Sequence, residues 1–272
     1  MDNDLGLTEA MMAENAGRGI AEVALSATNN GARGLTRGKS HVIPTVVVFA
    51  GNNKNGLRAI AAGRHLRNHG LNVVVCVLGL EREAEFLIDV KRQLNVFRSF
   101  GGKIVNKFGL LEYIKTLNAP VELIIDGLLG LAISFEELRT GDQATAFELI
   151  EFANRSTAAV IAIDIPTGID PMTGKVSIFD GRQLYMNPKF VVAMGAPKKG
   201  LLEAMLIGEG VVEEDGVGIS SEKRSGIGKE WQLFVADVGL GAAAWKKAGT
   251  RLRRGVEFDG SWVLGMRFQG SE

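Results

Sequence analysis

The sequence predicts an α/β fold, a three-layer α/β/α sandwich on a mostly parallel, doubly wound sheet, and three observations carry that prediction. Apolar runs rich in β-branched residues, such as Thr45 to Ala50 and Asn72 to Leu78, lack the polar alternation of a half-exposed strand. Strands buried on both faces read that way. Segments with apolar positions at helical spacing separate these runs, and parallel neighbours require such crossovers. Glycine-bearing turns follow three of the strands, at Gly51 to Gly56, Asp126 to Gly130 and Asp164 to Gly168.

Each element follows in order. Thr8 to Ala27 places Met11, Met12, Ile20, Val23 and Ala24 at helical spacing, which predicts a leading helix packed on another surface. Thr36 to Ser40 is a polar, basic connection to the strand Thr45 to Ala50. Leu57 to His69 is helical, with Gly70 closing it, and Asn72 to Leu78 completes a βαβ unit. The pattern then recurs: a long amphipathic helix over Arg82 to Phe100, a strand at Gly102 to Val105, a helix at Leu110 to Leu117 and a strand at Val121 to Asp126. Thr140 to Asn154 is helical, and Ala159 to Asp164, Lys189 to Met194 and Leu233 to Asp237 are strands. Glu209 to Glu230, rich in Gly, Ser and charge, reads as a flexible surface insertion. The whole is one Rossmann-like domain over residues 1–272.

Composition narrows the function. The chain has 272 residues, 46% of them hydrophobic, enough for one large domain with a full core. Lys plus Arg and Asp plus Glu both number 31, so no global charge draws the chain to nucleic acid or membrane, and a charged partner must be met by a local patch. The single cysteine, Cys76, lies inside an apolar run, which predicts a buried thiol and excludes an internal disulfide. The polar, acidic start of the chain and the lack of an apolar run of about 18 residues predict no membrane span and a reducing, cytosolic setting.

In a doubly wound sheet, ligands bind at the carboxyl ends of the strands, so the turns there are the candidate site. Gly51, Gly56, Gly130 and Gly168 allow backbone amides close to a phosphate, and Lys54, Asn55 and Arg58 accompany the first turn. Asp126 and Asp164 are suited to hold a ribose hydroxyl, a monovalent cation or a proton. The bland alternative is that the glycines serve φ angles and close packing while the aspartates cap helices. His65 and His69 stand at i and i+4, but no third ligand is spaced to form a metal site.

Six motifs appear here in the order found in the YjeF N-terminal family: Glu14 to Arg18, Val46 to Gly56, Gly63 to Leu66, Asp126 to Gly130, Asp164 to Gly168 and Ala193 to Lys198. Active members are NAD(P)H-hydrate epimerases. The resemblance implies a nucleotide pocket, a potassium site at Asn55, Asp126 and Thr167, and Asp164 facing the substrate as the catalytic residue of an active enzyme. The departures matter. Lys54, Leu57 and Arg58 stand where the family has Asn, Gly and Asp, and Leu131-Ala132-Ile133 replaces a Gly-Thr-Gly run that wraps phosphates. Together these argue against the ancestral reaction and leave the potassium site vestigial, while Lys54 and Arg58 offer charge for an anion. No cofactor is required; a nicotinamide or adenine nucleotide is the candidate ligand.

This pattern of loss, with Arg67-Asn68-His69 and Arg253 to Phe258 followed by Trp262, resembles the C-terminal domain of fungal enhancer-of-mRNA-decapping proteins. That resemblance implies a cytoplasmic processing-body scaffold, a homodimer, RNA, and decapping and processing-body proteins as partners. Met12 and Val23 on the leading helix are the expected dimer residues. Lys54, Arg58, Arg251, Arg253 and Arg254 are the expected RNA contacts, with Lys246, Lys247, Arg33, Arg37 and Lys39 beside them; a solvated charged face is the commoner meaning of such runs. Trp231, Trp245 and Trp262 read as core or interface packing. The leading expectation is a non-catalytic dimerisation and RNA-binding scaffold domain of mRNA decay. An active epimerase using Asp164 and a nucleotide-binding or nucleotide-hydrolysing module are the alternatives.

Overall fold

A computed structural model describes residues 6–28, 43–118, 120–206, 227–247 and 256–267. Its main sheet has eight strands: β1 (Thr45–Ala50), β2 (Asn72–Val77), β3 (Lys103–Val105), β4 (Val121–Gly127), β5 (Ala159–Ile163), β8 (Phe190–Met194), β9 (Gln232–Ala236) and β10 (Val263–Met266). The spatial order is β10-β9-β8-β5-β4-β1-β2-β3. Seven strands run parallel and β10 pairs antiparallel with β9. The order reverses beside β1, so the loops after β1, β4 and β5 meet at one edge, as the doubly wound prediction requires.

Helices cover both faces. On one side lie α1 (Glu9–Ala27), α2 (Lys54–Asn68) and α3 (Ile88–Ser99) over a core that includes Val46, Val48, Ile60, Leu66 and Ile125. On the other, α4 (Lys107–Lys115) and α5 (Thr140–Arg155) cover Val47, Phe49 and Ile124, with Leu149 of α5 in the same cluster. Burial pushes the Cys76 thiol up to about 12, so it is a packing residue and no nucleophile at neutral pH. Beyond β8, α6 (Lys199–Met205) packs with Trp231 and β9 in a third cluster, and α7 (Ala242–Lys247) follows β9. Of the other tryptophans, Trp262 is 44% exposed and its ring lies 4.3 Å beneath the Arg18 guanidinium.

The leading helix corrects one expectation. α1 buries its apolar face against its own chain, on α2 and the sheet, and needs no second copy to cover it. A Cβ on Gly17 would stand 2.7 Å from the Cβ of Ala61, and one on Gly19 would stand 2.6 Å from that of Ala236, so backbone contact sets this packing. Val23, expected at a dimer surface, is 5% exposed and belongs to this core. Met12 is half-buried.

Three further differences have local causes. The helix expected over Arg82 to Phe100 is broken into a 3₁₀ turn, Leu80–Glu85, and α3. Phe86 is extended at the break and buried, and the Leu87 amide donates to Asn52 Oδ1 at 2.8 Å. Helix α2 starts three residues earlier than expected, because Asn53 caps it by accepting from the amides of Asn55 and Gly56. A hairpin, β6 (Ser177–Phe179) and β7 (Arg182–Leu184), was not expected, although its Asp180-Gly181 turn, both residues at positive φ, is a recognised hairpin signal. Most of the expected insertion over Glu209 to Glu230 lies outside the described residues. No helix among the described residues is long and apolar enough to cross a membrane.

Candidate functional site

The three turns interlock through side chains. Gly51 follows β1, and a Cβ there would stand 2.0 Å from the Leu128 carbonyl oxygen; a Cβ on Gly56 would meet the Gly51 carbonyl at the same distance. Both positions therefore require glycine. Asn53 Nδ2 donates to the Leu128 carbonyl at 3.0 Å, joining the β1 turn to the β4 turn. Asn55 is 3% exposed and donates from Nδ2 to the Ile163 carbonyl at 2.9 Å, joining α2 to the end of β5. Gly130 packs on Asn53, and Gly168 lies against the Leu184 carbonyl at φ +92.

Asp126 is the penultimate residue of β4 and is 2% exposed. Its carboxylate accepts from Thr167 Oγ1 at 2.7 Å, from the Thr167 amide at 2.8 Å and from the Leu128 amide at 3.2 Å. The Leu129 amide donates to Thr167 Oγ1 at 3.2 Å, so the pair is enclosed by backbone. No cationic side chain among the described residues pairs with Asp126, and burial raises its pKa above the ordinary carboxylate value despite the Thr167 and Leu128 bonds.

Asp164 is fully buried and follows β5 with φ +62, a left-handed conformation that Asp tolerates better than most residues. One oxygen accepts from Arg58 Nη1 at 2.8 Å. The other accepts from Lys198 Nζ at 3.0 Å and from the Met194 amide at 2.9 Å. Arg58 also donates from Nη1 to Asn55 Oδ1 at 3.3 Å and from Nη2 to Glu9 Oε1 at 3.4 Å. Glu9 meets Lys54 Nζ through its second oxygen at 2.8 Å. Three cations thus face two carboxylates along one edge of the sheet.

Most of the expected site residues converge here: Gly51, Lys54, Asn55, Gly56, Arg58, Asp126, Gly130, Asp164, Thr167 and Gly168. Arg58 corrects its assignment as an RNA contact, because its side chain is 12% exposed and its charge is met internally by Asp164 and Glu9. Lys54 is 68% exposed. Arg251, Arg253 and Arg254, and the earlier Arg33, Arg37 and Lys39, lie outside the described residues. Leu131 and Ile133 are over a third exposed at the rim of the β4 turn.

Sequence reasoning did not assign roles to Glu9 or Lys198. Lys198 closes the Ala193 to Lys198 motif, and its position after β8, the strand beside β5, is the signal for it. Glu9 had no signal beyond its place in the first turn of a helix, where acidic residues are common.

The potassium ion implied by the resemblance can be tested against these contacts. Asn55 Oδ1 already accepts from Arg58, and the Asp126 oxygens and the Thr167 hydroxyl are engaged with each other and with backbone amides. A cation on Asn55 would stand roughly 4 to 6 Å from a guanidinium, a repulsion of about 3 to 4 kcal/mol at an effective dielectric of about 20. The residues present do not fit that ion.

Residues 9–200 match the family described as YjeF-related protein N-terminus. An NAD(P)H-hydrate epimerase of Dehalogenimonas lykanthroporepellens is 30% identical over 244 residues, covering 88% of this chain and 77% of that protein. Enhancer of mRNA-decapping protein 3 of Schizosaccharomyces pombe is 26% identical over 239 residues, covering 88% of this chain and 44% of that protein. The chain therefore spans about three quarters of the epimerase and less than half of the decapping enhancer. The crystal structure of the yeast protein ynu0 superposes with a TM-score of 0.66 at 20% identity, covering 96% of this chain and 92% of that one, a likeness of fold. With its parallel sheet, its ordered motifs and a match over most of its length, the chain belongs to the YjeF N-terminal family.

Proposed function

We propose that this chain is a non-catalytic domain of the mRNA-decapping-enhancer type that keeps a nucleotide-type pocket without the epimerase reaction. The observation that carries this reading is the surroundings of Asp164. A general base needs an oxygen lone pair aimed at the proton it removes. Both oxygens of Asp164 instead hold protein donors, Arg58 on one side and Lys198 with the Met194 amide on the other. By the resemblance, Arg58 stands where the epimerases carry a carboxylate, so one substitution both removes an acid and sets a cation on Asp164. The similarity to the Schizosaccharomyces pombe enhancer of mRNA decapping supports the placement in mRNA decay. Cytoplasmic processing-body location, decapping partners, RNA contact and self-association belong to the same proposal.

The epimerase reading draws on the retained Asp126, Asp164 and Thr167 and on the 30% identity to a named epimerase. One assay separates the two. Hydrated NADPH epimers are incubated with the purified chain and followed by chromatography; interconversion is expected at the spontaneous rate. Sustained turnover above that rate would establish the epimerase and remove the non-catalytic proposal. Sedimentation and RNA titration at two salt concentrations test self-association and RNA contact directly.

A further inference from the structure

We infer that Glu9 is an internal anion seated on a phosphate-accepting pair, Lys54 and Arg58, and that a ligand bearing a phosphate or diphosphate must displace the first turn of α1 to enter. The inference rests on the nucleotide-type pocket proposed above.

Glu9 places one carboxylate oxygen on each cation, Oε2 on Lys54 Nζ at 2.8 Å and Oε1 on Arg58 Nη2 at 3.4 Å. Two oxygens of a phosphate offer these donors the same arrangement with more charge. Glu9 does not complete the electrostatics of the seat. Among the described residues the carboxylates that meet Lys54, Arg58 and Lys198 are those of Glu9 and Asp164, two anions for three cations, and the Arg58 Nε is buried with no partner. Lys54 also opens α2, so the positive end of that helix adds to the same point.

The rest of α1 cannot move aside as a rigid body, because Gly17 and Gly19 hold it in backbone contact with Ala61 and Ala236. The first turn is held by less. Thr8 caps it by accepting from the Met11 amide at 3.3 Å, and the Met12 amide donates to the Thr8 carbonyl at 3.1 Å. Terminal turns of helices open at low cost, so ligand entry is coupled to fraying of Glu9 to Met12 while the packed part of the helix stays in place.

The test uses the full chain with inorganic pyrophosphate and ADP as probes, by calorimetry, beside hydrogen exchange of the first turn of α1. Glu9→Gln, which keeps the side-chain shape, is expected to bind both probes about tenfold more tightly than the parent, the effect of removing one competing charge. Adding Lys54→Met, at an exposed position, is expected to abolish that gain. Exchange in the Glu9 to Met12 amides is expected to rise when pyrophosphate binds the parent. If the parent binds and Glu9→Gln binds no more tightly, or if exchange at the first turn is unchanged on binding, the role of Glu9 is overturned and the pocket stands. If neither protein binds either probe, both the role of Glu9 and the pocket reading are overturned.

Discussion

Asp126 and Asp164 occupy matching places, each at or just after the carboxyl end of a central strand and each leading into a glycine-bearing turn. In the sequence they look alike. In the folded chain they have opposite surroundings. Asp126 sits on β4 between β1 and β5, where the turn after β5 folds over it with Thr167, its own following turn adds the Leu128 amide, and all these donors are neutral. Asp164 sits after β5 and beside β8, within reach of Lys198 from the next turn and of Arg58 from the second turn of α2. Burial alone favours the neutral acid; cations at hydrogen-bond distance offset that penalty. One aspartate therefore has its pKa raised by burial among neutral donors, while the other anchors a network of ion pairs. The difference comes from which turns the sheet order brings beside each.

The largest test of this contrast is Arg58→Met. It removes one of the two cations from a buried carboxylate, a kind of change that costs about 3 to 5 kcal/mol when the remaining charge has no other partner. Lys198 stays, so the expected loss is at the lower end, about 3 kcal/mol, measured by urea unfolding. A loss below about 1 kcal/mol would mean that Lys198 alone balances Asp164, and the contrast with Asp126 would collapse.

Asp126→Asn gives the second test, and its sign depends on pH. The folded-state pKa of Asp126 is raised by burial, so the folded chain binds this proton more tightly than the unfolded one. Its contribution is fully present below the unfolded value, about 3.9, and is lost as pH rises through the higher folded value. Asn keeps the neutral charge but replaces one acceptor with a donor, facing either the Thr167 amide or the Leu128 amide and Thr167 hydroxyl. The substitution is expected to cost about 1 to 3 kcal/mol at acid pH. The deficit relative to the parent should then narrow as the solution approaches neutrality. Glu14 offers an internal control of opposite sign. Burial raises its pKa, but the Gln93 hydrogen bond and Arg64 outweigh that and leave it lowered. Its contribution is present above the unfolded value and fades as pH falls through the folded one. Unfolding curves of Asp126→Asn and Glu14→Gln across pH that shift in the same direction would break the comparison.

What the sequence made legible was set by how local the signal is. β1 was expected at Thr45 to Ala50 and is found there, because a strand buried on both faces leaves an uninterrupted apolar run. The site glycines were legible for the same reason, as turns between a strand and a helix. The break at Phe86 was not, since apolar spacing continues through it and only the burial of Phe86 and the Asn52 bond reveal it. The cover of α1 was half legible: its apolar face shows in the spacing, but Gly17 and Gly19, which let α2 and β9 close over that face, read as weak helix formers. The ion network was the least legible part. Glu9, Arg58, Asp164 and Lys198 come from four separate segments, and only the strand order places them together.

The smallest expected effect belongs to Lys198→Met, and it measures how Asp164 divides its charge between two cations. Lys198 is 30% exposed on its side chain, against 12% for Arg58, so more of its interaction is screened by solvent. Alone, the substitution is expected to cost about 1 kcal/mol, because Arg58 and the Met194 amide still serve both oxygens. The double variant Arg58→Met with Lys198→Met leaves Asp164 buried with only the Met194 amide. Its loss is therefore expected to exceed the sum of the single losses by about 1 to 2 kcal/mol, as for groups sharing one partner. Each single variant retains one cation and hides part of the cost of a bare carboxylate, which only the double variant exposes. Strict additivity in the same urea series would mean that the two cations act on Asp164 independently, and that the network is two separate pairs on one residue.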